Sequence, residues 1–298
     1  MDFTLYWFMF PVSVCVATLA MLSGIGGAAL FTPIFVLIFP LLGPEYPLES
    51  TVAAIGSALL TQTFGFMSGF VGYYRKKLID SAIVFRFLRI SVPVAIGGAF
   101  LAHLVADGAL ILGYALLVLI LAAIHLFVPR DDTSTGPSRQ MTNDQEPRRK
   151  MDSMGKEHVY AMPRLGPGGV LYTGVGSFLT GMVSVGIGEV IVPQLTKRGV
   201  PVAIAVAASV AIVIVTVACA SLTLVGQLIR EGGIYAMPWH LVAYTIPGVL
   251  IGGQIGPRLQ GLVSHRTMEY AISALFIVLS GAMLSVALQK LEFLMQTR

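Results

Sequence analysis

The chain has 298 residues, 56% of them hydrophobic and only 11% charged, with a net charge of +4 and a mean hydropathy of +0.83. A soluble domain carries about 25% charged residues, so this composition excludes an ordinary soluble enzyme and predicts an all-α polytopic membrane protein. Basic loops between spans account for the positive charge, which gives no reason to invoke nucleic acid.

In chain order, the first apolar run is Leu5–Leu22. It lacks the basic leader and small-residue cleavage site of a secretory signal, so it reads as retained structure. The stretch "MLSGIGGAALFTPIF" follows, and Gly24, Gly26 and Gly27 interrupt it before Ala28–Leu42 resumes. Each interior glycine costs a helix about 1 kcal/mol relative to alanine. As one straight helix, Leu5–Leu42 would reach about 57 Å, far beyond a hydrocarbon core of about 30 Å. A helical hairpin broken at its glycines fits better. Three spans follow at Thr51–Tyr74, Ala82–Val105 and Ala109–Val128.

From Pro129 to about Leu165 the chain mixes both charges with Pro, Gly, Ser and Thr. This composition predicts a flexible linker. It divides the chain into a first transmembrane repeat (1–128), a linker (129–165) and a second repeat (166–298). Beyond the linker, Gly168–Ser184 and Val190–Leu195 flank a second glycine cluster at Gly186 and Gly188. Pro201–Ile229, Pro238–Pro257 and Met268–Gln289 complete about eight segments, four on each side of the linker.

The halves match in order. "SGIGGAALFTPIF" aligns without gaps on "VSVGIGEVIVPQL", with Gly26 on Gly186 and Pro33 on Pro193. "AAIGS" (Ala53–Ser57) resembles "AVAAS" (Ala205–Ser209), and "PVAIGG" resembles "PGVLIGG". Ordered matches of this kind predict duplication, a common plan among transporters. Arg75–Lys77 and the linker, with Arg148, Arg149 and Lys150, belong on the cytoplasmic side by the positive-inside rule. Lys197, Arg198, Arg258 and Arg266 join them if each half starts with a hairpin that enters and returns. Three further spans per half then invert the second repeat relative to the first.

An interrupted helix survives in a membrane only against protein or a watery cavity. The helices restarting after Gly27 and Gly186 aim their N-termini at the breaks, with free N–H groups and about half a positive charge each. Two such termini facing each other make an anion site. The competing reading is close helix packing through small residues.

The glycine clusters before a proline, repeated after a linker, with "AAIGS" and "AVAAS" downstream, resemble the TauE/SafE family of sulfite and organosulfonate exporters. The resemblance covers nearly the whole chain outside the linker. It departs at Ala28, where members often carry a third consecutive glycine, and at Glu189, where a small residue is usual. It implies a secondary transporter, not an enzyme, that exports sulfite, sulfoacetate or a related carboxylate across a bacterial inner membrane. Proton coupling is part of that expectation, with the linker cytoplasmic and no cofactor. A passive anion channel and a membrane assembly or maturation factor are the alternatives.

The expected substrate-binding residues are Gly24, Gly26, Gly27, Ser57, Gln62, Gly186, Gly188, Gln194, Ser209 and Arg89. Ser57 and Ser209 occupy equivalent repeat positions and offer hydroxyl donors. Gln62 and Gln194 are pore-lining donors, and Arg89 would attract oxyanions from a vestibule. Glu189 lies at a helix N-terminus, where an arriving anion competes with its charge, so it is the proton-coupling candidate. A plain helix cap is its bland counterpart. Snorkelling suits Arg86, and His240 beside Trp239 reads as an interfacial anchor. No nucleophile–base constellation, phosphate loop or metal-ligand spacing stands out, and Cys15 and Cys219 read as buried thiols. The partners expected are a small anion, protons and lipid, with a homo-oligomer left open.

Overall fold

The computed structural model describes residues 4–23, 27–127, 148–259 and 265–296. Helix α1 spans Met9–Ser23 and α2 spans Ala28–Pro33. From α2 the chain continues through a π-helical run, Ile34–Ile38, into α3 (Phe39–Leu42). Pro33 and Pro40 lie in this stretch, and proline removes a backbone donor from the helical ladder. The ladder gives way to the wider π-helical turn just after Pro33. The long helices α4 (Thr51–Arg75), α5 (Ser81–Ala102) and α6 (Asp107–Phe127) follow. Ser50 caps α4 by accepting from Ala53 N–H, and Asp80 caps α5 by accepting from Ala82 N–H, as short polar residues do at helix starts. The second half contains α7 (Pro167–Val183), α8 (Ile187–Thr196), α9 (Val202–Gly232), α10 (Trp239–Leu259) and α11 (His265–Gln296). By length and composition α4, α5 and α9 are long and apolar enough to cross a membrane.

The helices pack in reciprocal pairs. α1 lies along α10 and α7 along α5, while α4 packs on α9 and α10, α5 on α9, and α6 on α11. α1 and α10 run in the same direction, since the Tyr6 and His240 rings lie 5.0 Å apart at one end and Gly256 meets Met21 at the other. α5 and α7 do likewise: Arg86 Nη1 donates to the Pro163 carbonyl at 2.8 Å, and Gly181 meets Ala95 further along. These seams are tight. A Cβ on Gly181 would collide with the Ala95 carbonyl oxygen, and one on Gly252 with the Val14 carbonyl oxygen. Small residues permit such backbone approach where apolar solvent provides no drive for helix association.

Both short hairpins return to the end they came from. Phe39 stacks against Tyr6 with ring centroids 5.0 Å apart. In the second half, Gln194 Nε2 donates to the Gly169 carbonyl at 2.9 Å, and Thr173 Oγ1 donates to Gln194 Oε1 at 3.1 Å.

Within the stretch read as a flexible linker, Arg148–Met151 (β1) and Glu157–Tyr160 (β2) form an antiparallel hairpin. It docks on the turn between α4 and α5. Arg148 and the Tyr160 hydroxyl both donate to the Asp80 carboxylate, at 3.2 and 2.7 Å. Lys150 donates to the Ile79 carbonyl, and Ser153 N–H donates to the Lys76 carbonyl. Lys76 Nζ in turn reaches the Pro257 carbonyl at the end of α10, at 2.6 Å. Alternation within the strands puts Arg148, Tyr160 and Lys150 on one face, which the composition of the segment did not reveal. Burial pushes the Asp80 carboxyl up, but the hydrogen bonds from Tyr160 and Ala82 and the charges of Arg148 and Lys150 hold it below the usual carboxylate range.

Two outcomes follow for measurement. Gly181→Ala should lower the thermal unfolding midpoint in detergent, since overpacking costs about 1–3 kcal/mol. Gly174→Ala, on the same helix with nothing within 4 Å of its added methyl, should leave it unchanged or raised. For Asp80, a depressed pKa means that docking is complete above about pH 4 and is lost as pH falls further. Hydrogen exchange of the 148–160 amides, corrected for intrinsic rates, should therefore accelerate only in acid. Asp80→Asn, which keeps the cap but not the charge, should accelerate it at neutral pH.

Candidate functional site

α1 ends at Ser23. The Tyr73 hydroxyl, from α4, donates to the Met21 carbonyl at 2.9 Å. Where α2 begins, Ala28 N–H donates to Gln62 Oε1 at 2.9 Å. Tyr114, from α6, donates through its hydroxyl to the Ala29 carbonyl. The first interruption is thus dressed by side chains from α4 and α6.

The second interruption is built differently. α7 ends at Ser184 in the left-handed conformation (φ 67°), with its N–H bonded to the Thr180 carbonyl at 3.0 Å. This is the single-bond form of a helix C-terminal cap, unusual for a residue other than Gly or Asn. Gly186 follows at φ 142°, a conformation that favours glycine. The Gly186 N–H donates to Glu189 Oε2 at 3.0 Å, and Ile187 N–H donates to Thr180 Oγ1 at 2.7 Å. Glu189 is 5% exposed. Its carboxylate therefore sits at the N-terminus of α8, where the helix dipole favours negative charge.

The two interruptions touch. Thr32, one turn into α2, and Ser184 have their hydroxyls 2.8 Å apart. Tyr114 brings α6 to the first interruption through its bond to the Ala29 carbonyl. Gln62, Thr32, Tyr114, Thr180, Ser184 and Glu189 are all buried, a polar cluster inside an apolar bundle.

Not every expected residue lies there. Gly24 and Gly26 lie outside the described residues. Gly27 precedes α2 and packs on Ala20 of α1. Gln62, Gly186, Gly188 and Glu189 are at the interruptions. Ser57 is buried but donates to the Ala53 carbonyl of its own helix at 2.7 Å. Ser209 is buried on α9, with no hydrogen-bond partner for its hydroxyl among the described residues. Gln194 ties α7 to α8 at the far end of that hairpin. Arg89 is exposed on α5, apart from the buried cluster. Of the N–H groups expected to be free at the breaks, those of Ala28, Gly186 and Ile187 are engaged in this structure, as an unpaired donor in an apolar interior is costly. Thr32, Thr180, Ser184 and Tyr114 were missed. Only Tyr114 carried a local signal, as a lone phenol in an apolar run.

The family model for sulfite exporter TauE/SafE matches residues 9–283, nearly the whole chain. The chain belongs to the TauE/SafE family. Among curated proteins and among solved structures, nothing matches it. TauE/SafE members are membrane transporters of the sulfite and anion exporter kind, and the apolar helices of this chain agree with residence in a membrane. The interruptions matched by the family model are those at which the buried polar side chains gather.

Thr180 carries the second interruption twice, since its hydroxyl also donates to the Gly176 carbonyl at 2.8 Å. Thr180→Val keeps the shape and removes both bonds. It should lower stability by about 1–3 kcal/mol by leaving Ile187 N–H unpaired, read as a fall in the detergent unfolding midpoint.

Proposed function

We propose that this chain is a proton-coupled secondary transporter that exports a small oxyanion, such as sulfite, sulfoacetate or a short carboxylate. The substrate binds where the two helix interruptions meet. The observation that carries this reading is the Thr32–Ser184 contact within a buried cluster of donors. Glu189 holds the Gly186 N–H as a tethered anion. A substrate anion takes its place when Glu189 is protonated, so that proton and anion share one site in turn.

The reciprocal packing supports two inverted repeats that rock against each other. If α1 corresponds to α7, α4 to α9 and α5 to α10, then exchanging the halves turns the α1–α10 pair into the α7–α5 pair and the α4–α10 pair into the α9–α5 pair. The hydroxyl pairs follow the same exchange, Thr61 with Thr245 at 2.7 Å and Ser91 with Thr216 at 3.0 Å. Membership of an exporter family and the basic residues gathered around the docked hairpin support a bacterial inner membrane with the linker cytoplasmic.

Radiolabelled sulfite or sulfonate should accumulate in inverted vesicles, driven by a pH gradient. No uptake would favour an assembly factor, and uptake indifferent to the gradient would favour a passive channel. Glu189→Gln should abolish the dependence on the gradient while anion exchange persists. Coupling that survives the substitution would reject the role given to Glu189.

A further inference from the structure

By packing, the central helices fall into two groups. α1, α4 and α10 pack on one another, and so do α5, α7 and α9. Exchanging the halves converts one group into the other. α4 on α9 is the broad seam between them, and the chain crosses that seam by two short turns. One is the α4–α5 turn, 76–80, and the other is 233–238, between α9 and α10. They lie at opposite ends of the bundle, since Glu231 at the end of α9 meets His103 at the far end of α5, 3.3 Å apart. The docked hairpin covers only the first crossing. Within that turn Lys77 adopts the left-handed conformation (φ 57°), which residues other than Gly and Asn rarely hold without support from their surroundings.

The hairpin grips both ends of the turn. At the α4 end, Ser153 N–H donates to the Lys76 carbonyl at 3.1 Å, and Lys76 Nζ donates to the Pro257 carbonyl of α10 at 2.6 Å. At the α5 end, Arg148 and Tyr160 donate to Asp80 at 3.2 and 2.7 Å, and Asp80 caps α5. Lys150 donates to the Ile79 carbonyl between them. The hairpin is itself braced, because Asp152 accepts from the Met154 and Lys156 N–H groups at 2.8 and 2.9 Å inside its loop. A braced element thus fixes Lys76, at the end of one helix group, against Asp80, at the start of the other. Hinges are the few element-terminal residues whose φ and ψ absorb a movement, and this turn is such a place. We propose that the 148–160 hairpin is a latch on this hinge: docked, it holds the two helix groups in the arrangement seen, and it must release the turn before they can rock. This rests on the reading of the chain as a rocking transporter. The latch is one-sided, since the crossing at 233–238 lies at the end of the bundle away from the hairpin.

The test is sulfite uptake into inverted vesicles, whose outer surface presents the hairpin under that reading. In a background carrying Cys15→Ala and Cys219→Ala, Arg148→Cys and Ser81→Cys are bridged by a reducible dithiol-reactive linker long enough to span an arginine–carboxylate contact. Ser81 is exposed and begins α5, so Asp80 keeps its bonds to Ala82 and Tyr160. The bridge should abolish uptake, and reductant should restore it. As the control, Arg149→Cys and Val159→Cys, directly paired across the two strands, are bridged with the same linker. That bridge stiffens the hairpin without tying it to the turn, and uptake should stay at the unbridged level. Uptake that survives the first bridge would overturn the latch and leave the transport reading standing, and so would loss under both bridges. Wild-type vesicles that take up no sulfite would overturn the transport reading, and the latch with it. Should the cysteine variants fail to reconstitute, hydrogen exchange of the wild type decides. The Ser153 amide should exchange faster during sulfite turnover than at rest, and an unchanged rate counts against the latch.

Discussion

A peptide N–H or carbonyl inside an apolar bundle must find a partner, and two broken helices create several groups that have lost theirs. The partners come from the protein itself: Gln62 for Ala28, Tyr73 for Met21, Tyr114 for Ala29, Thr180 for Ile187 and Glu189 for Gly186. Each unmade bond costs about 1–3 kcal/mol. The interruptions therefore exist only because α4, α6 and α7 bring polar groups to them. The same need draws Thr32 and Ser184 together and gathers the polar chemistry of the bundle at one place.

Glycine seams make that gathering possible. α7 reaches α5 and α10 reaches α1 at backbone distance, because Gly181 and Gly252 carry no Cβ. The long helices α4 and α9 then cross the middle of the bundle, packed against the interruptions and against each other. At one end, Lys76 joins the α4–α5 turn to α10, while the hairpin joins the same turn to the linker through Asp80. One end of the bundle is thus tied by charge, and its middle by hydroxyls and amides.

For a transporter these two kinds of bond have different uses. Neutral hydrogen bonds exchange partners at small net cost, since each broken bond can be replaced by one to the substrate. A buried carboxylate is less forgiving, because its charge must be neutralised or matched. The proposed competition of anion and proton at Glu189 draws on that contrast, with hydroxyls and amides as the adaptable remainder.

The sequence alone determined the membrane class, the two interruptions and the family, because hydrophobic run length and glycine clusters are local properties. It also pointed to Gln62, Gly186, Gly188 and Glu189, which lie within or one helix away from the breaks. It left open which neighbours Ser57, Gln194 and Arg89 meet, since a residue's direction depends on what its helix packs against. Ser57 instead bonds its own helix, and Gln194 closes the far end of a hairpin. Nor could composition show that Arg148, Lys150 and Tyr160 share one strand face over Asp80. Tertiary structure decided the meeting of Thr32 with Ser184, 152 positions apart, and of Tyr114 with Ala29, 85 positions apart. No local pattern encodes such contacts; they arise where separate helices share one buried volume and must satisfy each other's polar groups.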